Sequence, residues 1–301
     1  MKTLGKSLKV ALPLAAAAAV CTVAVVGAMS SDNGSSHPHE RAAESKVAAP
    51  PPARAAVGDP SNPATWRLPV EAYMPAPSAR LTITNVRDDL MDACMSKAGF
   101  DNWTPAPDLP NIDGASFTDG RYGISDAEQV TQWGYHRDPA LMRSYNDAML
   151  DGAVDESGAD DAQVRQCVQE ADGSVTAVQT APLVEQIDIE GYKTSLTDPA
   201  VKGVFAKWSA CMKGKGYSYA TPPDAQEDPK FTDPEKITPA EIATAKADLS
   251  CRNQYPVVKT WFDTEVKLQQ AAIAKNQGAL DDIQATNQAQ AAKANSLAQA
   301  Q

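Results

Sequence analysis

Cys94-Met95-Ser96-Lys97-Ala98-Gly99-Phe100 and Cys211-Met212-Lys213-Gly214-Lys215-Gly216-Tyr217 are two copies of one segment, 117 residues apart. An alanine precedes each cysteine (Ala93, Ala210), and Thr-Pro follows each copy (Thr104-Pro105, Thr221-Pro222). If the helices end at Ala98 and Lys215, Gly99 and Gly216 are left-handed terminal residues. Phe100 and Tyr217 then fold back onto Met95 and Met212, the apolar contact that accompanies a Schellman stop. We read Gly99 and Gly216 as helix caps, not as parts of a ligand site. Each copy leads to a further helix with one cysteine, Cys167 in the first half and Cys251 in the second.

Outward from the repeat, the chain begins with Lys2, Lys6 and Lys9, followed by 19 uncharged residues from Val10 to Ala28. A basic flank ahead of an apolar run is an export signal. Val26-Gly27-Ala28 offers a peptidase site, so residues 1–28 read as a signal peptide or a signal anchor. Lipid attachment at Cys21 is disfavoured, because Val20 precedes it and the apolar run continues beyond it. Each route places the chain after Ser30 outside the cytoplasm, and only residues 10–28, if uncleaved, would touch a membrane. Residues 29–66, rich in Pro, Ala and Ser and including Pro50-Pro51-Pro52, read as a disordered linker with too few branched apolar residues to offset ordering entropy. His37 and His39 on that tether make a poor metal site.

The whole chain carries a net charge of −11; without residues 1–28 it has 24 basic against 38 acidic residues, a balance of −14. Such a surface repels nucleic acid and anionic wall polymers. Apart from Cys21 there are four cysteines, spaced by 73, 44 and 40, with no C-x-x-C pair. An even count in an exported chain reads as two disulfides rather than zinc. Of three connectivities, equivalent stapling of equivalent halves favours Cys94–Cys167 and Cys211–Cys251.

Helix signals are dense. Ser125-Asp126-Ala127-Glu128 and Thr238-Pro239-Ala240-Glu241 read as capping boxes, and Asp138-Pro139 and Asp198-Pro199 as cap-plus-proline starts. They predict helices near 84–98, 125–133, 138–150, 159–171, 181–193, 198–215, 238–253 and 257–295; only 81–83 and Val175–Val178 look strand-like. The fold expected is mainly α. Two disulfide-stapled pseudo-repeats (about 80–172 and 197–256) form a body over 67–256, and a long amphipathic C-terminal helix with an Ala/Gln tail occupies 257–301. Phe262, Val266, Ile273 and Leu280 form one apolar stripe on that last helix. The stripe packs on the chain's own body or forms a seam with a partner. Beyond Ile283 nothing is expected to be buried.

The cysteine helices, the Pro-rich loop after them and the A-x-x-D-x-x-C spacing of Ala245, Asp248 and Cys251 carry a resemblance. So do Arg121-Tyr122-Gly123-Ile124 and Gly134-Tyr135-His136. Over roughly 67–285 the chain resembles exported, lipoprotein-like proteins of Streptomyces-type actinobacteria with repeated C-M-x-x-x-G-[FY] helices. The resemblance implies an envelope or secreted location and supplies no catalytic residue. It points faintly to partners such as export-type transporters and peptidoglycan-binding adaptors. The first half departs from the second in lacking A-x-x-D before Cys167.

After the linker His136 is the single histidine, so a hydrolase would have one available base. No H-E-x-x-H, G-x-S-x-G or Walker loop occurs. Asp88/Asp89, Asp160/Asp161 and Asp281/Asp282 are adjacent pairs that point apart on a helix. Asn111-Ile112-Asp113-Gly114 with Ser116 and Asp119, and Asp155 to Asp160, gather oxygens as a calcium loop would, yet ordinary turn chemistry explains both. No cofactor or metal is expected. The function expected is a non-catalytic envelope interaction module. Its candidate surface is the aromatic loop of Tyr122, Trp133, Tyr135 and His136 together with Phe262, Val266, Ile273 and Leu280. The alternatives are an envelope hydrolase using His136 and a calcium-binding spacer.

Overall fold

The computed structural model describes residues 55–300 except Pro60, Asp113 and Glu235. The leader, residues 29–54 of the expected linker, and His37 and His39 lie outside the described residues. Ten α-helices follow a short irregular lead: α1 (Pro77–Lys97), α2 (Ala127–Trp133), α3 (Pro139–Gly152), α4 (Asp161–Ser174), α5 (Pro182–Ser195), α6 (Pro199–Gly214), α7 (Pro222–Gln226), α8 (Pro239–Gln254), α9 (Val257–Lys275) and α10 (Gln277–Ala298). Six open on proline, whose missing N–H costs nothing in the first turn. Asp126, Asp138, Asp160, Asp198, Thr221 and Thr238 cap the helices they precede through side-chain oxygens. The cap at α2 is thus Asp126, where Ser125 was expected.

Both repeated segments end as Schellman stops. Phe100 N donates to Met95 O at 2.9 Å and Gly99 N to Ser96 O at 2.9 Å; Tyr217 N donates to Met212 O at 3.0 Å and Gly216 N to Lys213 O at 3.0 Å. Gly99 and Gly216 have φ of 92° and 91°. Disulfides join Cys94 to Cys167 and Cys211 to Cys251, with Cα atoms 5.6 and 5.8 Å apart. They staple α1 to α4 and α6 to α8. Closing loops of this length stabilises by about 4 kcal/mol each in the chain-entropy view.

The main core gathers Trp66, Tyr122, Phe205, Trp208, Trp261 and Phe262 between α5, α6, α8 and α9. A second cluster surrounds the first disulfide with Met91, Met95 and Ala171, and a third joins Ile83 and Val86 of α1 to Val175 and Ala294.

Several expectations are corrected. Residues 55–66 are not linker: Ala56 and Arg67 exchange two backbone hydrogen bonds, and Trp66 is buried with its indole N–H on the Asp59 carbonyl. Residues 81–83 lie within α1, because burying Ile83 and Val86 outweighs the strand preference of branched residues. Val175 to Val178 forms no strand; among the described residues the Ala56–Arg67 bridge is the only β pairing. The last helix is two helices, interrupted at Asn276, so that α9 packs on α5 and α6 while α10 packs on α1. The chain beyond Ile283 does bury surface, through Ala294 and Leu297. No helix among the described residues is long and apolar enough to cross a membrane.

Candidate functional site

The segment 117–136, within the first half between Cys94 and Cys167, lies on α8 and α9 through a buried ionic seam. α8 presents Glu241, Ala245, Asp248 and Arg252 at spacings of four, three and four, which places all of them on one helical face. Glu241, Asp248 and Glu265 are 0% exposed and Arg252 is 2% exposed. Charges this deep persist only when paired and hydrogen-bonded.

Arg121 donates from Nη2 to Asp188 Oδ1 at 2.7 Å and, from Nε and Nη2, to both oxygens of Glu265. Its guanidinium carbon lies 4.9 and 5.0 Å from the ring centres of Phe117 and Tyr192. The Tyr122 phenol donates to Glu265 Oε2 at 2.8 Å. Arg252 Nε and Trp208 Nε1 each donate to Asp248 Oδ1 at 2.7 Å, and the Tyr135 hydroxyl donates to Asp248 Oδ2 at 3.2 Å. Arg252 Nη1 donates to the Tyr122 carbonyl. Two glycines allow this approach. A Cβ on Gly123 would lie 2.5 Å from Arg252 Nη1, and one on Gly134 2.7 Å from Glu241 Oε1.

Titration follows burial and charge. Burial, then the Glu265 carboxylate, pushes the Tyr122 phenol far above its ordinary value; burial, then Asp248, does the same to Tyr135. Burial raises the Asp188 carboxyl, with Arg121 opposing. Burial lowers the affinity of Arg121 for its proton, but the bonds to Glu265 outweigh it and hold the guanidinium charged.

His136 sits at the end of the seam. Nδ1 is 2.6 Å from Glu241 Oε1, which also accepts the Tyr135 backbone N–H at 2.9 Å; Nε2 is 2.9 Å from the Asp233 carbonyl. The expected capping box at α8 is therefore half made: Thr238 accepts from Glu241 N, while the Glu241 side chain turns to the loop. Glu241 Oε2 has no hydrogen-bond partner among the described residues.

The contact with Glu241 is the histidine–carboxylate reach a hydrolase needs. With both ring nitrogens bonded to acceptors, however, no lone pair of the imidazole faces a nucleophile, and among the described residues no hydroxyl bonds to His136. The oxygen-rich loops are likewise engaged in turns. Asp119 Oδ2 accepts from Ala115 N, Asp155 Oδ1 from Ser157 N, and Asp160 caps α4. Asp113 lies outside the described residues. Among those described, no group of three metal-binding side chains converges.

The expected interaction surface is largely interior. Tyr122, Phe262 and Ile273 are 1% exposed and Leu280 is 0% exposed; Val266 and Tyr135 are half-buried against the main core. The stripe packs inward, its α9 residues because that helix faces α5 and α6. Trp133 and His136 are half-buried. The residues that organise the seam, Glu241, Arg252, Glu265 and Trp208, were absent from the sequence-based candidates. The one sequence signal among them is Arg252, four residues after Asp248 on a helix that also carries a core cysteine.

The surface beside the seam is recessed but open. An 80 Å³ cavity lined by Arg121, Tyr122, Gly123, Tyr192, Arg252 and Trp261 lies between two recesses of about 370 and 390 Å³. The first shares Arg121 and Tyr192 with it, and the second shares Pro223. No protein family, curated protein or solved structure matches the chain.

Proposed function

We propose that this chain is an exported, non-catalytic interaction module of the cell envelope, working beside a membrane or wall-bound partner. The resemblance of its cysteine helices to those of actinobacterial envelope proteins would make an export-type transporter or a wall-binding adaptor that partner. Two disulfides suit an oxidising compartment, and the basic-then-apolar start suits export. The observation that carries the reading is how the charged groups are used. Arg121, Arg252, Asp248, Glu265, Glu241 and His136 hold a loop to two helices, while α3 on the exterior buries none of its residues. A chain whose buried polar groups fix its shape and whose amphipathic helix faces outward is built to present a surface.

The test is size fractionation of the gently solubilised envelope of producing cells. The chain should elute in an assembly larger than itself, and elution solely as a free monomer would overturn the reading. A hydrolase is the second reading and would rest on the His136–Glu241 contact, with the Asp233 carbonyl bond at Nε2 given up to free the base. His136→Gln keeps a hydrogen-bonding side chain of similar reach that cannot act as a base, so a hydrolytic activity lost in that variant with unchanged melting would establish catalysis instead.

A further inference from the structure

Among the described residues α3 is the one long helix with no buried residue. Leu141, Met142 and Tyr145 recur at helical spacing along it and are half-buried, while at its C-terminal end Met149 is 48% exposed, Leu150 70% and Val154, just beyond the helix, 62%. A helix of 14 residues is marginal in water unless its apolar face is covered. The chain nevertheless fixes both of its ends. Asp138 Oδ1 accepts from Ala140 N at 2.8 Å ahead of Pro139, and Gly152 comes so close to Ala106 that a Cβ there would stand 3.1 Å from the alanine methyl. The ends are held, and the apolar cluster of Met149, Leu150 and Val154 is open.

Charge identifies the occupant. From 137 to 161 the chain carries Asp138, Asp147, Asp151, Asp155, Glu156, Asp160 and Asp161 against Arg137 and Arg143. A second copy would bring the same excess of negative charge against itself, and an anionic lipid surface would repel it. An apolar groove with basic rims meets both features, the leucine–methionine face and its acidic border. We propose that α3 is the docking element of this protein and that it seats in a basic-rimmed apolar groove on another envelope protein. This rests on the interaction-module reading and names the surface that performs it.

The test uses the full chain in producing cells, with a photo-crosslinking amino acid at Leu150 or, as a control, at the exposed Lys267 of α9. The protein captured from position 150 is identified, purified and titrated against the chain. The inference expects binding that weakens at least tenfold with Leu150→Asp and at least tenfold between 50 and 500 mM sodium chloride, with melting unchanged because Leu150 is exposed. Capture of a second copy, binding to phosphatidylglycerol vesicles that Leu150→Asp abolishes, or salt-independent binding would overturn it. Capture from Lys267 but not from Leu150 would overturn the α3 assignment and leave the module reading standing; capture from neither position, together with free-monomer elution, would end both.

Discussion

Asp248→Ala removes the acceptor on which three parts of the molecule converge: Arg252 of its own helix, Trp208 of α6 and Tyr135 of the loop. Arg252 is 2% exposed, so its guanidinium stays in the interior without its carboxylate. Breaking one side of a buried pair costs about 3–5 kcal/mol, and a buried indole N–H without an acceptor adds about 1–3 kcal/mol. Water admitted to the space of the lost carboxylate offsets part of the sum. The net expectation is a loss of about 4 kcal/mol, a large share of the ~5–15 kcal/mol that holds a domain folded. Urea titration followed by tryptophan fluorescence and circular dichroism measures it. Asp248→Leu with Arg252→Met removes both charges and should cost about 2 kcal/mol less than the sum of those two substitutions made singly, a clear departure from additivity. A loss below about 1 kcal/mol for Asp248→Ala, or strict additivity in the double variant, would show that the seam does not hold the loop.

Other outcomes follow from the same geometry. Gly99→Ala and Gly216→Ala meet no neighbouring atom, so each should cost only the left-handed backbone penalty of about 1 kcal/mol in thermal melts; Gly134→Ala should cost more, because its new methyl meets Glu241. Alkaline stability should fall. The Tyr122 and Tyr135 phenols keep their protons in the folded chain to higher pH than in the unfolded one, where they ionise near 10, so above pH 10 the unfolded state binds fewer protons. The expected slope is about 1.4 kcal/mol per pH unit for each phenol, and unfolding curves that coincide at pH 9 and 11 would contradict it.

The cysteine helices were legible because their information is local: a left-handed glycine, an aromatic two residues past the helix end and a cysteine at fixed offset leave one economical reading. The Asp-Pro and Thr-Pro starts were legible for the same reason. The seam was not. Glu241 at the third helical position reads as half of a capping box, and only the arrival of Gly134 and Tyr135 from more than a hundred residues away diverts it. Tyr122 and the stripe from Phe262 to Leu280 have the chemistry of an interface; tertiary packing turns that chemistry inward. Leu81-Thr82-Ile83 misled through alternation, which cannot register that Ala294 waits on the other side of α1. Trp66 looked like the end of a spacer because a single aromatic in a Pro-rich stretch gives no periodicity to read.

Amide hydrogen exchange on the purified full chain addresses the contrast at the centre of this structure, a loop fixed by buried charge beside a helix left open. The amides of Gly123 and Tyr135 should exchange at least a hundredfold more slowly than those from Arg143 to Asp151 within α3, because opening the former breaks the seam while the latter cover no apolar core. Equal protection in the two regions, or a loop that exchanges faster than α3, would contradict it.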